Sequence, residues 1–100
     1  MLKKLLKALG FSKKVSRTDK PVGEVTHYYG NLGVAIVRFS QDMPAGKNVT
    51  FQGATTDFSQ DLSSMELDHK SVSLAPRGRE AGLKVKEKVR EGDKVYLNLK

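Results

Sequence analysis

Met43-Pro44-Ala45-Gly46 leads into Lys47-Asn48-Val49-Thr50-Phe51-Gln52-Gly53, and the reading of this run decides the fold. Proline presets φ and a glycine follows two residues later, which spells a turn. Val49, Phe51 and Gly53 then alternate with Asn48, Thr50 and Gln52. A period of two with one apolar side is the mark of a strand with one wet face.

The same grammar extends in both directions. Upstream, residues 22–29 form a first strand, Gly30-Asn31-Leu32-Gly33 supplies turn residues, and residues 34–39 form a second strand. Downstream, Phe58 and Leu62 share one parity whereas Met65 and Leu67 take the other. A parity switch needs an extra residue, so a bulge or corner is expected near Ser63-Ser64 of a long fourth strand. Pro76-Arg77-Gly78-Arg79 reads as a loop, Leu83 and Val85 as the inward face of a fifth strand, and Arg90-Glu91-Gly92-Asp93 as the last turn before Val95, Leu97 and Leu99. Six short strands with glycine-marked turns predict an all-β, small, closed antiparallel barrel. Closure would remove the edges that invite aggregation.

The N-terminus is different. Leu2, Leu5, Leu6 and Leu9 follow helical spacing, Lys3, Lys4 and Lys7 fall mainly on the other side, and Gly10 supplies a stop. A short amphipathic helix is expected there, followed by a polar linker, so that residues 1–20 form a basic arm and residues 21–100 the barrel. A helix this short is marginal alone and must dock. Its leucine face has three readings: covering the barrel end, binding a protein groove, or lying on a membrane surface.

At 100 residues and 38% apolar content the chain has material for one core. It has no cysteine, which excludes disulfides and thiol chemistry. The longest apolar stretch, Val34-Ala35-Ile36-Val37, is far too short to span a bilayer, and lysines interrupt the leucines that a signal peptide would need unbroken. A cytoplasmic protein without a transmembrane segment is expected. Of the net charge of +7, six units fall in residues 1–20. The arm, through Lys3, Lys4, Lys7, Lys13 and Lys14, therefore suits an anionic partner.

No phosphate-binding Gly-x-x-x-x-Gly-Lys-Ser/Thr and no Gly-x-Ser-x-Gly elbow occurs. His27 and His69 lie far apart in sequence, and they read as structural or surface residues rather than metal ligands. No cofactor and no catalysis are expected. Lys84, Lys86, Lys88 and Arg90 recur at period two, which on an extended strand would form a basic rail for phosphates. Glu87, Glu91 and Asp93 dilute it, so a solvated strand face is the competing reading. Of Tyr28 and Tyr29, opposite parity allows only one to face outward, where it could stack on a base.

Several segments together resemble the second domain of elongation factor Tu and its relatives. These are the 43–53 run, the Val-x-x-Ala-x-x-Gly-x-x-x-Gly-Leu stretch of residues 72–83 and Arg90-Glu91-Gly92-Asp93-Lys94-Val95. Thr55-Thr56-Asp57-Phe58, Ser64-Met65, His69-Lys70 and residues 85–96 are similar to short translation elongation factor-like barrel proteins. Less closely, the barrel resembles the one at the C-terminus of some collagenase-like peptidase family proteins that act on RNA. The resemblance covers about residues 22–97. It implies a translation-factor domain 2-like barrel and a non-enzymatic, translation-related module contacting tRNA or ribosomal RNA; the period-two spacing, not the resemblance, offers Lys84, Lys86, Lys88 and Arg90 as the phosphate contacts. The alternative is a protein-interaction adaptor that captures its partner through Leu2, Leu5, Leu6 and Leu9.

Overall fold

The computed structural model describes residues 17–99. The expected N-terminal helix, its leucine face and Lys3, Lys4, Lys7, Lys13 and Lys14 lie outside the described residues. Those described form an all-β domain without a helix.

Ten short strands follow one another: β1 Gly23–Tyr29, β2 Val34–Phe39, β3 Met43–Pro44, β4 Asn48–Gln52, β5 Asp57–Asp61, β6 Met65–Leu67, β7 Lys70–Val72, β8 Leu74–Ala75, β9 Glu80–Lys84 and β10 Lys94–Leu97. Eight of them make one antiparallel sheet in the order β5-β4-β10-β1-β2-β9-β6-β7, and β3 and β8 pair as a separate ribbon. The six-stranded closed barrel expected from the sequence is corrected accordingly. Among the described residues no ladder joins β5 to β7, so the sheet is strongly curled rather than closed by backbone pairing.

Chain length explains the curl. Strands β5 and β6 stand six places apart in the sheet, which on a flat sheet would be roughly 28 Å. Residues 62–64 alone connect them, and from Asp61 to Met65 the chain reaches at most about 15 Å. The sheet must therefore bend until its ends approach. A side chain bridges the seam: the Gln60 amide donates to Lys84 O at 2.8 Å, and the Lys86 N–H donates to Gln60 Oε1 at 2.9 Å. One glutamine here ties β5 to the end of β9. The corner expected near Ser63-Ser64 is this bend, with Leu62 and Met65 buried on either side and both serines exposed.

The core fills the curl. Val25, Val37, Phe39, Met43, Val49, Phe51, Leu83, Val89 and Val95 are almost completely buried. In β1 the pattern slips: a register shift between Val25 and His27 marks a bulge, so Val25 and Tyr28 both face the core side. Tyr29 is exposed and stacks beside His27, with ring centroids 6.3 Å apart. The expectation that one tyrosine faces outward holds, and the bulge decides which.

The sequence shows no sign of the hairpin after β6. Asp68 and His69 join β6 to β7 as a two-residue turn, with φ of 53° and 68°. Two positive φ values define the turn type that glycine prefers at its second position. His69→Gly should therefore stabilise the domain by about 0.5–1 kcal/mol, read as a higher urea midpoint with unchanged slope. A lower midpoint would refute the strain assigned to this turn.

Candidate functional site

The outer face of the sheet carries a transverse row of polar side chains set by strand register. Gln52 of β4 pairs with Lys94 of β10, Lys94 with Glu24 of β1, Glu24 with Arg38 of β2, and Arg38 with Glu80 of β9. After Gln52 the signs alternate. Lys94 Nζ lies 3.4 Å from Glu24 Oε1, and Arg38 Nη1 lies 3.8 Å from Glu80 Oε2. All four side chains are about half exposed. Such cross-strand pairs contribute only roughly 0.2–1 kcal/mol each. Their main effect is to hold charges at fixed spacing.

A groove of about 400 Å³ opens along this row. Glu24, Arg38 and Lys94 line it together with Pro21, Phe39 and Arg77. Arg77 arrives on a pinned loop. Its own N–H donates to Asp42 Oδ1 at 2.9 Å, the Gly78 N–H donates to Phe39 O at 2.8 Å, and the Arg79 N–H donates to Pro76 O at 3.2 Å. Gly78 has a φ of 80°, which lets the loop turn back over the end of β2. Among the described residues no carboxylate lies within 4 Å of the Arg77 guanidinium, whereas Arg79 in the same loop pairs with Asp68 at 3.1 Å. The groove thus holds three cations against one carboxylate along its lining.

The residues favoured by the sequence are placed otherwise. Lys84, Lys86, Lys88 and Arg90 are all exposed, but β9 ends at Lys84 and residues 85–90 are not extended strand. The single-strand rail is corrected on that ground. Lys84 Nζ donates to Leu32 O at 3.2 Å, and the Lys86 and Arg90 N–H groups hold the seam and the last turn. His27 Nδ1 sits 3.5 Å from Glu91 Oε2, and His69 occupies the turn after β6. Asp93 is buried and accepts the Arg90 N–H at 2.8 Å. These titratable groups serve local structure and converge on no common point. Among the described residues no three His, Asp or Glu side chains are grouped to hold a metal ion.

Sequence reasoning missed Glu24, Arg38, Arg77 and Lys94 because they come from three strands and a loop. Only the strand register brings them together. The two arginines flanking Gly78 were the one local signal.

Similarity to known proteins corrects the family expectation. No family model matches the chain. An uncharacterized protease of Methanocaldococcus jannaschii is 35% identical over 77 residues, which is 76% of this chain and 19% of that protein. A collagenase of Porphyromonas gingivalis is 32% identical over 83 residues, 81% of this chain and 23% of that protein. The chain therefore spans about a fifth of the length of the curated relatives it matches. Among solved structures, the C-terminal domain of a Geobacillus thermoleovorans protein named as a U32 peptidase superposes with a TM-score of 0.71 at 20% identity, covering 76% of this chain and 89% of that one. Its selenomethionine variant gives the same score at 22% identity, with coverage of 76% and 96%. The fold is thus shared with that domain.

These likenesses overturn the resemblance to elongation factors, which rested on turn glycines and inward valines that a small barrel of many lineages needs. The translation-related function inferred from it falls with it; the leucine face of the adaptor reading lies outside the described residues. Among the described residues no helix is long and apolar enough to cross a membrane.

Proposed function

We propose that this chain is a non-catalytic β-domain that serves a peptidase of the U32 kind by holding polypeptide. The observation that carries the reading is the partial likeness. Two proteases resemble this chain over about a fifth of their length, and both solved structures described above are of a C-terminal domain. Within that fifth, His27, Glu91 and Asp68 of this chain are engaged in exposed ion pairs and Asp93 in the last turn.

A recognition domain of this size helps a peptidase by raising the local concentration of its substrate. Even weak binding suffices when a linked module supplies an effective concentration on the order of 1 mM. A rigid curled sheet suits the task, because its groove is held by register and by a pinned loop and loses little entropy on binding.

Immobilised gelatin and casein give the test. The purified chain should be retained on at least one of them and should release no new amino termini from either during prolonged incubation. Hydrolysis that tracks with the folded chain through purification would overturn the non-catalytic part. Passage through both columns without retention would overturn the holding of polypeptide.

A further inference from the structure

We infer that the groove between Pro21 and Arg77 binds an acidic, extended polypeptide segment, with Arg77 and Arg38 as its carboxylate anchors. This rests on the reading of the domain as a polypeptide-holding module and assigns that role a place and a ligand chemistry. Three features select the ligand. Among the charged residues of the lining, Arg38, Arg77 and Lys94 outnumber Glu24, so the groove favours negative charge. Arg77 has no acidic partner within 4 Å among the described residues, yet its backbone is fixed by Asp42, so the guanidinium is presented without being neutralised. Arginine's planar fork matches a carboxylate in two parallel hydrogen bonds.

The row also argues against a uniform polyanion. Glu24 and Glu80 stand between and beside the cations at one-strand spacing. A nucleic-acid backbone would bring a phosphate against each of them. A polypeptide can place carboxylates on the cations and neutral residues over Glu24 and Glu80. Pro21, exposed at one end of the groove, adds apolar lining that suits an intervening side chain. A volume of about 400 Å³ lies in the range of clefts that enclose a small ligand or a few residues of chain.

The test uses the full chain and a fluorescein-labelled twelve-residue peptide of alternating Glu and Ala. The same peptide with Gln for Glu, and a labelled oligouridine of equal length, serve as counter-probes, all read by fluorescence anisotropy at low and moderate salt. The acidic peptide should bind about tenfold or more tightly than its Gln counterpart. Arg77→Glu and Arg38→Ala should each weaken it by about tenfold, whereas Lys70→Ala, on the far edge strand β7, should leave it unchanged. Thermal unfolding of each variant shows that the domain remains intact. Equal binding of both peptides, or an Arg77→Glu variant that binds like the parent, would overturn the groove. Tighter binding of oligouridine that Arg77→Glu abolishes would reassign the groove to a nucleic acid. Retention on gelatin or casein that survives the groove substitutions would refute this site alone and leave the module reading standing.

Discussion

Phe51→Ala should cost about 3–5 kcal/mol of folding free energy and lower the thermal midpoint by roughly 15–30 °C. Phe51 is fully buried on β4, with Phe58 of β5 and Val95 of β10 as its register partners on the two sides. Its ring stacks on Phe58 with centroids 5.1 Å apart and planes 17° from parallel. Removing it deletes apolar burial and an aromatic pair and leaves a cavity that three hydrogen-bonded strands cannot easily collapse. A domain of this size has only about 4–12 kcal/mol of stability in total, so one residue decides whether the chain is mostly folded at physiological temperature. Phe51→Leu, which keeps most of the volume, should cost about 1–2 kcal/mol. Leu32→Ala, at a residue 64% exposed, should change stability by less than about 0.5 kcal/mol. Urea unfolding followed by circular dichroism separates the three. A loss below about 1 kcal/mol for Phe51→Ala would mean that the sheet does not curl around this ring.

The difference between Phe51 and Leu32 could be read from the sequence, because each belongs to a local pattern. Alternation around Val49 and Phe51 identified β4, and the same periodicity placed β1, β2 and β10 to within a residue or two. The parity switch between Leu62 and Met65 announced the corner. What the sequence hid was non-local. The curl is tied by a Gln60 side chain reaching residues 84 and 86, and no period encodes that. The split after Leu67 rested on Asp68 and His69 taking positive φ, which neither residue type advertises as glycine would. The candidate groove was less legible still. Lys84, Lys86, Lys88 and Arg90 drew attention because their spacing is visible along the chain, yet the strand ends before the spacing can act. Lys94, Glu24, Arg38 and Glu80 are scattered along the chain and become a row only through register. The resemblance to elongation factors failed for a related reason: it matched residues that build a barrel, and barrels are shared more widely than functions.

Gly53 and Asp93 show how such a motif residue acts. The last turn has Gly92 at a φ of 92°, and the Asp93 N–H donates to Arg90 O at 3.0 Å. Asp93 Oδ2 accepts the Arg90 N–H in return at 2.8 Å, so the carboxylate is fixed in a buried position. Gly53 lies against it. A Cβ at position 53 would stand 2.7 Å from Asp93 Cγ and closer still to Oδ1. Rotating Asp93 away would give up its bond to Arg90, so the collision has no inexpensive release. Gly53→Ala should therefore cost about 2–3 kcal/mol although the residue is exposed. Asp93→Ala alone should cost about 1–3 kcal/mol, because the Arg90 N–H loses its acceptor. Combined, the two changes should cost clearly less than their sum, by about 1–2 kcal/mol, since removing the carboxylate makes room for the new methyl group. Equilibrium unfolding of the four members of this cycle measures the coupling directly. Strict additivity would show that Gly53 is needed for its own backbone rather than for Asp93. Strong coupling would mean that the glycine ending the 43–53 run and the aspartate of the 90–95 turn are two halves of one contact. Their joint presence in a sequence would then report a barrel and carry no information about the ligand it holds.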